Sequence, residues 1–314
     1  MPTTVAVTGA GGFCGSYVAA AAAARGARVL SVGRRGGPVG RHVPWDPASG
    51  SAPDLAGADV VIHCAGAVGD PLPGSPAAAL LRTVNVTGTA RMLEAAAGRP
   101  VVWLSSAVLY APAPGRDRVR EEHPLDDRLG VFGLTKAAGE ALALAAGAVV
   151  LRPRAVYGVG DGHLAPRLLA RVRRGLLLLP GRDTELSLTA VENLADACLS
   201  AVDDAAPWPP GAYNIADESP YRRDEAVRTL LAAHGVHARV GHLPLLPARA
   251  VAAAVGKLSP LRRRAEPFPT RHAVDALARG MVLDVTKARR QGWTASRTLA
   301  GYAEAVAAGS ARRR

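Results

Sequence analysis

The chain opens on a short apolar run, Val5-Ala6-Val7, that leads at once into Thr8-Gly9-Ala10-Gly11-Gly12-Phe13-Cys14-Gly15. Glycines at 9, 12 and 15, set between a buried strand and a helix, leave little freedom in what this end can become. Gly9 permits the tight turn, Gly12 lets backbone approach a pyrophosphate, and Gly15 lets the helix pack on the strand. The helix that follows, Phe13 to Arg25 with Gly26 as its stop, points its positive end and unpaired N–H groups at the same spot. A dinucleotide site is expected here, with Thr8, Gly9, Gly12, Phe13 and Gly15 around the phosphates.

Further strands are expected at Arg28 to Val32, Asp59 to His63, Val101 to Leu104 and Ala148 to Leu151. Helical stretches, Ala77 to Ala97 and Phe132 to Ala146, fall between them. Alternation of this kind implies an α/β fold with a Rossmann-type, doubly wound parallel sheet. Aromatic residues are only 4% of the chain, so the core must rest on Ala, Val and Leu, and runs such as Ala19 to Ala24 favour helix. From about Pro166 the alternation breaks down. Leu176 to Leu179 reads as buried chain, and the Leu/Ala/Arg-rich region after Pro220, with prolines at 244, 247, 260, 267 and 269, reads as a smaller, mainly helical lobe. The expected division is a dinucleotide-binding domain at 1–165, with 186–216 returning to it, and a substrate lobe made mainly of 166–314.

The formal charge of +12 would suit nucleic acid, but the basic residues are scattered. The exceptions are Arg171-Val172-Arg173-Arg174, Arg262-Arg263-Arg264 and the Arg312 to Arg314 tail. No helix-turn-helix or zinc-finger spacing accompanies them, so no nucleic-acid partner is expected. Cys14, Cys64 and Cys198 form no paired motif, and no His/Cys/Asp/Glu cluster has metal-ligand spacing. No metal is expected. Met1-Pro2-Thr3-Thr4 does not open a signal peptide, and no apolar run reaches the ~20 residues that cross a bilayer. A cytoplasmic protein away from membranes is expected; its oligomeric state stays open.

The end of the second strand bears on the choice of cofactor. NAD sites usually carry an acid there for the ribose 2′-hydroxyl. This chain has Gly33 followed by Arg34 and Arg35, which leaves room for a 2′-phosphate and offers guanidinium groups to pair with it. NADP(H) is the expected cofactor; the alternative is that both arginines only face water. Asp46, in Trp45-Asp46-Pro47, is placed at the adenine edge.

Later motifs then appear in order. Asp59-Val60-Val61-Ile62-His63-Cys64-Ala65-Gly66, Asn85-Val86-Thr87-Gly88-Thr89, Leu104-Ser105-Ser106-Ala107-Val108-Leu109-Tyr110, and Leu151-Arg152-Pro153-Arg154-Ala155-Val156-Tyr157-Gly158 follow one another. Leu283-Asp284-Val285-Thr286-Lys287-Ala288-Arg289 with Gly292-Trp293 closes the series. With these the chain resembles an extended short-chain dehydrogenase/reductase of the NAD-dependent epimerase/dehydratase kind, over nearly its whole length and more loosely between about 217 and 280. The resemblance implies that Ala65 and Gly66 line the cofactor, that Ser106 is the catalytic serine, and that Pro153 and Val156 lie beside the nicotinamide. It fixes fold and cofactor class rather than reaction.

The family's acid/base motif is Tyr-x-x-x-Lys, and the matching segment here is Phe132-Gly133-Leu134-Thr135-Lys136. Four residues make about one helical turn, so positions 132 and 136 face one cleft. The resemblance implies that Lys136 binds the nicotinamide ribose. Phe132 keeps a ring and loses the hydroxyl that exchanges a proton with substrate. The same departure resembles a tyrosine-lacking ketoreductase type from aromatic polyketide antibiotic pathways. The expected activity is therefore NADPH-dependent hydride transfer to a polycyclic aromatic ketone, with Ser106 and Lys136 retained. Stabilising the alkoxide is left to Ser106, a water, or the substrate's own phenol. Two alternatives stay open: a cofactor-binding regulatory or redox-sensing protein without turnover, and a nucleotide-sugar epimerase/dehydratase-like enzyme.

Other residues are weighed against plainer roles. His63 is expected to be structural. His163 is expected to be an ordinary loop histidine, with a substitute acid as the alternative; Tyr110 and Tyr157 are expected to serve packing and rank, as substitute acids, below the substrate. Glu121-Glu122 and Asp126-Asp127 are expected to be solvated loop carboxylates. Arg152, Arg154, Arg167 and Arg171 are expected at the surface unless they attract an acidic substituent of the substrate.

Overall fold

Along the chain run β1 (Thr4–Thr8), α1 (Phe13–Ala24), β2 (Arg28–Gly33), β3 (Arg41–Pro44), β4 (Val60–His63), α2 (Pro76–Arg82), α3 (Thr89–Ala96) and β5 (Val101–Leu104). Then come α4 (Val131–Ala145), β6 (Val149–Pro153), β7 (Val156–Tyr157), α5 (Leu164–Leu169), β8 (Leu176–Pro180), β9 (Glu185–Leu186), β10 (Thr189–Ala190), α6 (Val191–Ser200) and β11 (Gly211–Ile215). The remainder holds β12 (Tyr221–Arg222), α7 (Arg223–Ala233), β13 (Arg239–Leu243), α8 (Leu245–Leu258), α9 (Arg271–Ala278), α10 (Thr286–Arg289) and α11 (Leu299–Ala311). This computed structural model describes residues 4–69, 71–111, 118–126, 129–203, 205–258 and 271–311. The Arg262 to Arg264 run, the Arg312 to Arg314 tail, Asp127 and the prolines at 260, 267 and 269 lie outside the described residues.

Seven strands form one parallel sheet in the order β11-β6-β5-β4-β1-β2-β3. Both faces are covered, so the central strands β1, β4, β5 and β6 are mainly apolar and buried along their length. Val5, Val7, Val60, Ile62, Val102, Leu104, Val149 and Leu151 belong to a core with Val18, Ala19 and Ala22 of α1 and Leu194 and Cys198 of α6. Their neighbours Ala6, Val61, Val101, Trp103 and Val150 turn the other way, onto Met92 and Ala96 of α3 and Ala143 of α4. Strand order reverses between β1 and β4, and the crevice past their carboxy ends is where such sheets hold ligands. The outer edge of β11 is closed by side chains: the Asn214 N–H donates to Glu121 Oε1 at 2.8 Å, and Lys287 Nζ donates to the Ala212 carbonyl at 2.8 Å.

The stretch expected as one helix from Ala77 to Ala97 is interrupted by a π-helical turn, Thr83–Gly88. A Cβ on Gly139 of α4 would lie 2.4 Å from the Asn85 carbonyl oxygen, so α4 presses directly against this turn. Turns of this kind often mark functional sites; this one carries Asn85.

In the carboxy-terminal lobe, β8 and β13 pair in parallel beside α5, α7 and α11. Leu177 and Leu179 are buried there, whereas Leu176 and Leu178 are 41% and 47% exposed. That corrects the expectation that the whole leucine run is buried. A strand sends alternate residues to opposite faces, and across from Leu178 the partner is Gly241, with no side chain to cover it. Asp217 fastens the lobe to the sheet, accepting from Tyr157 Oη at 2.7 Å, Tyr221 Oη at 3.0 Å, and the Ala190 N–H and Asn193 Nδ2 at 2.8 Å each. No helix among the described residues is long and apolar enough to cross a membrane.

Candidate active site

The glycine turn is held tightly. Gly9 sits at φ +70°, in the left-handed region; its N–H donates to the Val32 carbonyl at 2.7 Å, and its own carbonyl accepts from Gly12 at 2.8 Å. A Cβ on Gly15 would lie 2.2 Å from the Gly9 oxygen, so only glycine lets α1 approach so closely. No side chain caps α1, which leaves its first-turn N–H groups to a ligand. In front of them opens a cavity of about 280 Å3 whose wall includes Gly9, Gly12, Arg34, Arg35, Asp46, Ala65 and Gly66. Arg34 and Arg35 are exposed at its rim. Asp46 spends one carboxylate oxygen on the Ala48 N–H at 3.0 Å.

Thr8, Phe13 and Gly15 lie outside that wall. Thr8 is fully buried, with Oγ1 2.8 Å from His63 Nδ1 and accepting from the Ala65 N–H at 3.3 Å. It supports the loop from beneath. Phe13 packs edge-on against Tyr17 at 5.9 Å.

The other half of the site lies where β5 meets α4. Lys136 is buried; its Nζ donates to the Leu104 carbonyl at 2.5 Å and sits 3.8 Å from the centre of the Trp103 ring. Burial pushes its ammonium down to about 7, with the Glu140 carboxylate working the other way. Two residues beyond Leu104, Ser106 is extended at φ −160° and ψ 142°, so Ser105 and Ser106 point to opposite sides. Ser105 Oγ turns inward and donates to Glu140 Oε2. Ser106 is half-buried, and its Oγ accepts from the Val108 N–H at 3.2 Å. Phe132 is half-buried on the first turn of α4. Pro153 is buried and Val156 half-buried on the neighbouring strands, with Ala155 between them in the left-handed region at φ 44°, a strained conformation for a residue with a Cβ.

Asn85 joins the two halves. Its Oδ1 accepts from the Ala67 N–H at 2.8 Å, and its Nδ2 donates to the Ala67 carbonyl at 2.9 Å and to Thr135 Oγ1 at 3.0 Å. One amide thus holds the loop after β4 against the helix that carries Lys136.

Two expectations, for Arg152 and Glu121, need correction. Arg152 is a buried structural cation: its Nη2 lies 2.5 Å from Glu140 Oε1, and its Nη1 donates to Tyr110 Oη at 2.9 Å. Glu121 is half-buried on the edge of β11 rather than solvated, and burial raises its carboxyl. Tyr110 and Tyr157 are poor substitute acids. Both are buried and already donate, to Asn214 Oδ1 at 2.6 Å and Asp217 Oδ2 at 2.7 Å, and burial raises both phenols, that of Tyr110 to about 12. His163 is exposed beside Asp161, which accepts from its N–H at 2.8 Å. Sequence reasoning missed Glu140; its one signal was a carboxylate one turn past Lys136.

His63, expected to be structural, stacks on Trp103 at 6.4 Å and 12°. Burial, helped by the Lys136 charge, pushes it down to about 3. The folded chain therefore keeps it neutral where the unfolded chain protonates it below about pH 6.5. Stability is expected to fall as pH drops from about 6.5 towards 3, by roughly 1 kcal/mol per pH unit. Melting temperatures across that range should show a steeper acid limb for the parent than for His63→Phe, which keeps the stack and loses the titration. Equal slopes would contradict it.

With this geometry in place, three comparisons are informative. The family model described as "NAD dependent epimerase/dehydratase family" matches residues 5–216. Among curated relatives, the 2-alkyl-3-oxoalkanoate reductase of Stenotrophomonas maltophilia is 31% identical, over 91% of this chain and 92% of its own. The 4-hydroxy-2-methyl-3-oxo-4-farnesyl-3,4-dihydroquinoline-1-oxide ketoreductase of Stigmatella aurantiaca is 32% identical, over 76% of this chain and 72% of its own. Among solved structures, MoeE5 in complex with UDP-glucuronic acid and NAD superposes with a TM-score of 0.71 at 25% identity, covering 99% of this chain and 100% of that one.

Proposed function

The chain belongs to the NAD-dependent epimerase/dehydratase family, within the extended short-chain dehydrogenase/reductases, and on that premise we propose that it is an NADPH-dependent ketoreductase acting on a polycyclic aromatic ketone. The observation that carries this reading is the first turn of α4. Phe132 stands there in sequence where the family's motif has tyrosine, one turn before Lys136, and Lys136 is bonded to the end of β5 just ahead of Ser106. Relatives named for ketone reduction support the reaction class, and the Stigmatella enzyme is named for a ketone on a fused ring system. Aromatic polyketides carry ketones of that kind beside phenols.

The residues present fit a dinucleotide. Gly9 and Gly15 bring the uncapped end of α1 to the rim of the cavity, and that cavity ends at Gly33, Arg34 and Arg35. When bound, the reduced nicotinamide supplies the hydride. Holding its ribose falls to Lys136, whose ammonium keeps donors to spare beyond the one given to the Leu104 carbonyl. Ser106 donates to the ketone oxygen as negative charge develops there. Phe132 stands at the place of the phenol and supplies no proton. The proton then comes from water or from a phenol on the substrate itself.

The reading is tested by following reduced-nicotinamide absorbance while hydroxylated anthraquinone-like and angucyclinone-like ketones are added. Oxidation with at least one is expected; none with any would favour the cofactor-binding protein without turnover. Cofactor preference is a separate prediction. Replacing Arg34 and Arg35 together with alanine should remove ~1–3 kcal/mol of NADPH preference, the scale of charge-assisted hydrogen bonds to a 2′-phosphate. Titration that finds equal NADPH and NADH affinity in the parent would overturn the assignment.

A further inference from the structure

Between the segments that carry Lys136 and Ser106 lies a carboxylate shut away from solvent. Glu140 lies one helical turn past Lys136 and is 2% exposed. On one side it accepts from Ser105, the residue before Ser106. On the other it is gripped by Arg152, whose Nε lies 3.1 Å from Oε1 and 3.2 Å from Oε2. Tyr110 passes the chain on from Arg152 to Asn214 of β11. The end of β5 is therefore tied to α4 twice in succession, by Lys136 at Leu104 and by Glu140 at Ser105.

We propose that Glu140, held by Arg152, is the positioning residue of this site: through Ser105 it sets where Ser106 points, and its buried carboxylate, one turn along α4, steadies Lys136 at the end of β5. The proposal rests on the reductase reading for what Ser106 does, but not for the link to Lys136. Burial disfavours the Lys136 charge and Glu140 favours it. The other groups that bear on this ammonium are Cys14 of α1, Cys64 after β4 and His63 of β4. A protonated Lys136 is the form able to donate to a ribose hydroxyl while still satisfying the Leu104 carbonyl.

The test reads Lys136 directly. Lys136, Lys257 and Lys287 are the chain's lysines, so a carbon-13 NMR titration of lysine side chains resolves each, with Lys136→Arg as the assignment control. In Glu140→Gln the Lys136 midpoint is expected to fall by a pH unit or more. Single-turnover hydride transfer is expected to slow about tenfold or more, and Glu140→Asp should restore the midpoint. An unchanged midpoint in Glu140→Gln overturns the proposal, whatever its melting temperature does. Should that variant fail to fold, Ser105→Ala cuts only the link to Ser106 and leaves the Glu140–Arg152 pair intact. It is expected to keep the Lys136 midpoint and slow single turnover several-fold; a rate equal to the parent's overturns the proposal. If no ketone is reduced by the parent, the reductase reading fails by itself, and the Lys136 midpoint still decides the role of Glu140.

Discussion

Gly15→Ala is expected to weaken nicotinamide dinucleotide binding about a hundredfold or more, the equivalent of losing one or two charge-assisted hydrogen bonds to the phosphates. The added Cβ would meet the Gly9 carbonyl oxygen at 2.2 Å and its carbon at 2.7 Å. Gly9 cannot retreat. Its N–H is pinned to Val32, its carbonyl is engaged by Gly12, and a Cβ built on it would already lie 2.8 Å from the Ala65 backbone. The strain must then be relieved by α1 lifting away from β1, which takes the first-turn N–H groups out of line with the phosphates. Overpacking of this kind also costs about 1–3 kcal/mol of stability. Affinity and melting temperature should therefore be measured together. A variant that melts early yet binds NADPH like the parent would show that the phosphates are held somewhere else.

What could be read from the sequence follows from how local each cause is. The strand, glycine turn and α1 are one continuous segment, and each glycine acts within a few residues of itself. The parallel sheet followed from alternating apolar runs. Two strands escaped that reasoning. β3 is an edge strand with Arg41 and His42 exposed, so it shows no apolar period. β11 holds Tyr213 and Asn214, whose burial depends on partners distant in sequence, Glu121, Val119 and Tyr110 among them. The π-helical turn is equally nonlocal, because it meets α4 at Gly139.

Within the site, the spacing of Phe132 and Lys136 was legible because one helical turn fixes which residues share a face. Arg152 was not. A guanidinium reads as a surface or anion-binding group until the fold places Glu140 against it, and nothing local to residues 151–158 announces that carboxylate. Glu140 itself looks like any polar residue on an alanine-rich helix. The catalytic spacing is written locally, and the network that aims it is written in tertiary contacts.

On the proposed reading, methylating a phenol beside the ketone of an aromatic substrate is expected to slow hydride transfer on the order of a hundredfold or more, with cofactor affinity unchanged. The structure narrows the other sources of a hydrogen bond to the developing alkoxide. Tyr110 and Tyr157 are committed to Asn214 and Asp217, and moving either would strip a buried partner of its donor. His163 is exposed at the surface. Ser106, water and the substrate remain. A hydroxyl placed by the substrate itself needs no protein side chain, so Phe132→Tyr should give no rescue. The added phenol enters a half-buried position where no described side chain is placed to receive it as a catalytic donor. Both comparisons should be made from single-turnover rates, since slow product release would mask the chemical step. If the methyl ether reacts as fast as the free phenol, substrate assistance is wrong. Ser106→Ala should then show the loss, because Ser106 would be the one side chain left of those weighed for the alkoxide.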